Sequence, residues 1–155
     1  MTNASTTDSI ERSILIQAPR ERIWRALSDA SQFGQWFGAN LEGNTIAPGA
    51  HVRGPITICG YEHAVFDARF ERVEPQEVIT YRWHPFAIDP AIDYSKETPT
   101  LVTLTLYDAD GGATLLKVVE SGFDQVPPNR RVEAFAMNSR GWEAQLENVA
   151  RYVTG

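Results

Sequence analysis

The chain has 155 residues, 43% hydrophobic and 22% charged, with a formal net charge of −6. This length fits one domain able to bury its own core, and the composition excludes a disordered chain. The acidic balance argues against nucleic acid as a partner, since that affinity rests on clustered Lys and Arg; Arg130, Arg131 and Arg140 are the only basic grouping.

Cys59 is the single cysteine, so no intrachain disulfide forms and a reducing, cytoplasmic location is expected. With no activating base beside it, the thiol is expected to be buried and inert. Residues 1–9 are polar, lack the features of a secretory signal and are expected to form a disordered tail ahead of one domain over 10–155. No apolar run approaches the ~20 residues of a membrane span.

A strand is predicted over 11–17, ended by Ala18-Pro19. Pro19 leads into a helix over 20–29 with Ile23, Trp24 and Leu27 on one face. Ser31 then reads as the N-cap of a second short helix carrying Phe33, Trp36 and Phe37, which Gly34 and Gly38 keep short. Strand patterns follow at 40–42, at 50–58 with a break at Gly54-Pro55, and at 61–73. In the last of these, Ala64, Phe66, Ala68 and Phe70 alternate with His63, Val65, Asp67, Arg69 and Glu71. The turn Glu74-Pro75-Gln76 joins it to a strand over 78–84. Residues 85–99 break the rhythm, mixing prolines and aspartates with Phe86, Ile88, Ile92 and Tyr94; a loop of this length reads as a mobile cover over a binding site. Strands over 101–107 and 113–120 flank the turn Asp110-Gly111-Gly112. The last element is a helix over 129–153, with an apolar stripe of Val132, Phe135, Ala136, Ser139, Trp142, Leu146, Val149 and Val153. Two short helices, a run of strands and one long helix imply an α+β fold: an antiparallel sheet of six to seven strands with the long helix across one face.

Several segments resemble the START-like (SRPBCC, birch-pollen-allergen-like) helix-grip superfamily. They are Ile16-Gln17-Ala18-Pro19 with Ile23-Trp24-Arg25-Ala26-Leu27, Gln35-Trp36-Phe37, Val73-Glu74-Pro75 with Ile79-Thr80-Tyr81-Arg82-Trp83, Glu120-Ser121-Gly122-Phe123, and Gly141-Trp142 with Leu146. Within it the chain looks most like bacterial relatives of the C-terminal domain of the heat-shock-protein-90 ATPase activator. The resemblance implies a curved sheet gripping the long helix. It also implies a role among lipid carriers, hormone binders, polyketide cyclases and chaperone regulators, the last linking the chain to the stress response.

Aromatic residues interleaved with small ones on the inner strand faces suggest a cavity between the sheet and the long helix. Its expected lining is Trp36, Phe66, Tyr81, Trp83, Val102, Leu104, Phe123, Phe135 and Ser139, with Glu120 orienting the polar end of an apolar or amphipathic small molecule. His63, Asp67 and Arg69 read as a solvated face or, turned inward, as an acid–base pair of His63 and Asp67. The histidines lack metal-ligand spacing, and no nucleophile or phosphate-loop motif is present, so no metal and no cofactor are expected. Binding is expected ahead of catalysis, with a cyclase or hydrolase in the same cavity as the alternative. A chaperone or other protein is the second class of partner.

Overall fold

The computed structural model describes residues 7–155. The alternating pattern of Ser9–Ile16 (β1) turns Ile10 and Ile16 inward, and Pro19 opens the helix Arg20–Ser28 (α1). Helix α2 (Ala30–Phe37) is capped by Asp29, whose carboxylate accepts the Ser31 N–H at 3.0 Å, and ends at Gly38 with φ 101°. Five strands later, the chain closes with α3. The strands are β2 (His51–Pro55), β3 (Val65–Glu74), β4 (Val78–Trp83), β5 (Thr100–Asp108) and β6 (Thr114–Ser121); α3 is Pro128–Thr154.

The strands form one curved antiparallel sheet in the order β1-β6-β5-β4-β3-β2. Its inner face carries Phe66, Ala68, Phe70, Tyr81, Val102, Leu104, Leu116 and Val118, all buried. The helices cover that face with Ile23 and Leu27 of α1, Phe33 and Trp36 of α2, and Ala134, Trp142, Leu146 and Val149 of α3. Each large apolar side chain buried this way contributes about 1.5–3 kcal/mol. This is the α+β helix-grip fold expected from the pattern.

The sequence reading and the structure part at several points. A strand over 40–42 does not form: Ala39 makes one isolated bridge to Ile56 before the chain turns away. The backbone of Asn40 lies so close to β2 that a Cβ on Gly54 would fall 1.9 Å from the Asn40 carbonyl oxygen, so only glycine fits there. The strand predicted over 61–73 begins at Val65, because 58–64 coils in two tight turns. A bulge between Phe70 and Arg72 then shifts its register against β4. Asp29, not Ser31, caps α2, since Ser31 already lies inside the helix. Val132 is 80% exposed, because the first turn of α3 overhangs the sheet and the buried stripe starts at Ala134. Cys59 is exposed in the 58–61 turn rather than buried. Of the expected tail, residues 1–6 lie outside the described residues. Asp8 and Ser9 are held: the Asp8 carbonyl accepts the Gly122 and Phe123 N–H groups, and Ser9 pairs with Ser121.

Candidate binding cleft and a buried carboxylate hub

Glu120 sits on the inward phase of β6 and is fully buried. Its Oε1 accepts the Asn138 amide and the Trp142 indole N–H, each at 2.9 Å. Its Oε2 accepts the Trp83 indole N–H at 2.7 Å and the Thr100 hydroxyl at 2.6 Å. One carboxylate thus ties β4, β5 and β6 to α3. A buried carboxylate is tolerable only when its lone pairs are used, and here both oxygens accept two bonds each. Beside it the Tyr81 hydroxyl is buried without a hydrogen-bond partner. Burial, reinforced by the Glu120 charge, pushes its pKa well above the usual tyrosine value.

The rest of the interior is a continuous set of ring contacts. Phe33 meets Trp36 at 4.6 Å, Phe37 meets Phe66 at 5.1 Å, Tyr81 meets Trp83 at 5.4 Å and Trp83 meets Trp142 at 5.9 Å. Trp36 donates its indole N–H to the Ala26 carbonyl, and Phe135 packs on Phe123 at 5.2 Å. Ser139 donates its hydroxyl to the Phe135 carbonyl one turn back. The space between sheet and α3 assigned to a ligand from sequence therefore holds these rings, with Val102 and Leu104 beneath them on β5.

An open cleft of about 890 Å³ lies elsewhere, between loop 84–99 and the strands β2, β3 and β4. Of the ten residues expected to line a site, Phe66 and Trp83 reach it; Trp36, Tyr81, Val102, Leu104, Glu120, Phe123, Phe135 and Ser139 do not line it. The loop side supplies Phe86, Ile88, Ile92 and Tyr94. Phe86 has φ 51°, a left-handed conformation rare for a bulky residue and costing about 1–3 kcal/mol, of the kind that clusters at ligand clamps.

The strand side is polar. All three histidines of the chain, His51, His63 and His84, border the cleft. Asp67 pairs with His51 at 2.6 Å and with Arg53 at 2.9 Å, so its histidine is His51 rather than His63. His63 instead contacts the Ile88 carbonyl at 3.0 Å, fastening the turn before β3 to the loop. The His84 Nδ1 is buried without a partner, and burial holds its pKa below the usual histidine value. Sequence reasoning saw the polar rib of His63, Asp67 and Arg69 and a covering loop over 85–99, but set that cover over the cavity between sheet and long helix rather than over this rib. Among the described residues no group of His, Cys, Asp and Glu could hold a metal ion.

Arg130, in the first turn of α3, fastens the loop at both ends. It donates to the Pro85 carbonyl at 2.7 Å, forks onto the Glu97 carboxylate through Nε and Nη2, and stacks over the Tyr94 ring at 4.8 Å. Both partners of the ion pair are largely buried, and hydrogen bonds to charged groups contribute about 1.5–3 kcal/mol each. Replacing Arg130 by Ala is expected to speed amide exchange in loop 84–99 by roughly tenfold or more, leaving β5 and β6 unchanged. Loop exchange at the wild-type rate would mean the wall stands without this clamp.

A curved sheet gripping one long helix, with an open cleft at its edge, defines a START-type helix-grip domain. The chain belongs to the family described as Activator of Hsp90 ATPase homolog 1-like protein, which it matches over residues 17–154. No curated protein matches it. The crystal structure of DynU16, a putative protein in the dynemicin biosynthetic locus, is similar with a TM-score of 0.71 at 26% identity, over 95% of this chain and 47% of that one. This chain thus spans about half the length of that neighbour, at 47%. MLL2253 from Mesorhizobium loti is similar with a TM-score of 0.70 at 26% identity, over 94% of this chain and 96% of that one. NE0264 from Nitrosomonas europaea, at 13% identity and a TM-score of 0.72 over 99% and 98% of the two chains, shares the fold. No helix among the described residues is long and apolar enough to cross a membrane.

Proposed function

We propose that this protein binds an amphipathic small molecule in the cleft beneath loop 84–99. The observation that carries the reading is the cleft's two-sidedness. Apolar loop side chains, Phe86, Ile88, Ile92 and Tyr94, face a polar rib of His51, Asp67 and Arg69 across a volume that suits a ligand of drug-like size. Phe66 and Trp83 form its inner end. The similarity to DynU16, a putative protein of a biosynthetic locus, supports a small molecule as the ligand. The exposed free thiol of Cys59 supports a reducing, cytoplasmic setting.

Trp83 is the built-in reporter, because its ring lines the cleft while its N–H is held by Glu120. Titrating aromatic polyketides, flavonoids and fatty acids while following tryptophan emission is expected to give at least one dissociation constant in the micromolar range, roughly −8 kcal/mol. The response should vanish in Trp83→Phe. Silence across the panel, by fluorescence and by calorimetry, overturns the reading.

A second reading, docking onto a chaperone or another protein, has one observation in its favour. On the outer face of the sheet Leu15 and Tyr107 flank Leu115 in a single row, and Leu15 and Tyr107 are 54% and 45% exposed. An apolar row of this kind can mark an interaction surface. Its size is small, and the cleft remains the better supported site.

A further inference from the structure

We propose that the cleft selects ligands with an anionic end and that Arg69 receives it; the inference rests on the small-molecule reading above. Outward along β3 stand Asp67, Arg69 and Glu71, all bordering the cleft. Both acids are already committed. Asp67 accepts from Arg53 through Oδ2 and meets His51 through Oδ1, and Glu71 accepts the Arg82 Nε–H at 2.8 Å. Arg69 stands between them, and among the described residues its side chain makes no hydrogen bond and no ion pair.

The neighbours across the strands deepen the imbalance. The register sets Arg69 opposite His51 on β2 and opposite Arg82 on β4. Like charges directly opposite on adjacent strands destabilise a sheet, so the Arg69–Arg82 pair carries a cost, and Glu71, the nearest acid on the strand, is taken by Arg82. A bound oxyanion relieves it. The guanidinium presents five donors in a planar fork that matches a carboxylate in two parallel bonds.

The negative groups that face the cleft from the loop are also accounted for. Asp89 accepts the Ala91 N–H at 2.9 Å, and Asp93 accepts from the Ser95 N–H and hydroxyl at 3.0 and 2.6 Å. Glu97 is held by Arg130. Among the described residues, Arg69 is therefore the one guanidinium bordering the cleft with no donor committed to an acid, Arg53 and Arg82 each giving their Nε–H to one, in a chain whose overall charge is −6. An anion that binds here does so through local donors against the general field, which makes the site selective for a ligand that also brings apolar surface to Phe86, Ile88 and Tyr94.

The test is a matched pair of probes, naphthylacetate and naphthylacetamide, titrated calorimetrically into the full chain and into Arg69→Gln. Wild type is expected to prefer the carboxylate by about tenfold or more. R69Q is expected to lose that preference while keeping its affinity for the amide, and Arg69→Lys to retain part of it, because the charge remains and the fork is gone. Equal affinity of wild type for the two probes overturns the anion inference and leaves the cleft as a binding site. A preference that survives in R69Q, or that disappears in Arg82→Gln instead, also overturns the assignment to Arg69. If neither probe binds wild type, the small-molecule reading fails and takes this inference with it. Arg69 is exposed, so far-ultraviolet circular dichroism of R69Q should match wild type.

Discussion

Glu120→Ala is expected to leave the protein largely unfolded at moderate temperature. The substitution removes an acceptor that serves Trp83, Thr100, Asn138 and Trp142, and the Thr100 and Trp142 donors are then left unpaired in the interior. Removing the charged member of a buried network typically costs about 3–5 kcal/mol, because its partners stay behind unpaired. That is a large share of the ~5–15 kcal/mol that holds a domain together. Glu120→Gln keeps the shape and one carbonyl oxygen but turns an NH2 group toward two of the donors, so it should fall between Ala and wild type. Urea denaturation followed by tryptophan emission measures the order. A midpoint for E120A equal to that of wild type would mean the four donors find other partners, and the hub would then not be a stabilising feature.

The second large effect is expected at Trp142. Its side chain is 3% exposed, its ring lies 5.9 Å from that of Trp83, and its N–H reaches Glu120 at 2.9 Å. Truncation to Ala removes packing and a hydrogen bond together, for roughly 3–5 kcal/mol. Trp142→Phe keeps much of the packing and should cost about 1–3 kcal/mol, the penalty for a buried acceptor losing one donor. Because Glu120 and Trp142 share a bond, E120A/W142A should destabilise by less than the sum of the two single changes. Thermal melts of the three variants give that comparison. A melting temperature of W142A within a degree or two of wild type would remove Trp142 from the core.

Most of the fold was legible in the sequence because periodicity reports which side of an element faces inward. The stripe of Trp142, Leu146 and Val149 marked α3, and the alternation of Phe66, Ala68 and Phe70 marked the inner side of β3. Periodicity does not report how much space remains once those side chains meet. Tyr81, Trp83 and Phe66 read equally well as pocket lining and as mutual packing, and the structure has both: their rings meet at 5.4 to 6.1 Å, while Phe66 and Trp83 also border the cleft under the loop. Glu120 was conspicuous as a carboxylate on an inward phase, and its burial could be argued from Leu116 and Val118 before it on β6. That its partners are two indoles and two polar groups from other elements depends on tertiary placement. The cleft was the least legible part. His63, Asp67 and Arg69 read as a solvated face, and His51 and His84 as scattered histidines, until loop 84–99 is seen to fold across them, held by Arg130 from more than thirty positions downstream (33 from Glu97).

The bonds at Glu120 join residues 18 to 37 positions away on three other elements, so none can form while those elements are still separate. Stability placed in contacts absent from the folding transition state leaves the rate of folding almost untouched and lengthens the lifetime of the folded molecule. If the bonds at Glu120 close after that transition state, the hub is a brake on opening: unfolding of E120A should quicken while its folding rate stays near that of wild type, and the protection is the kind that counts against proteolysis when cleavage outpaces reclosing.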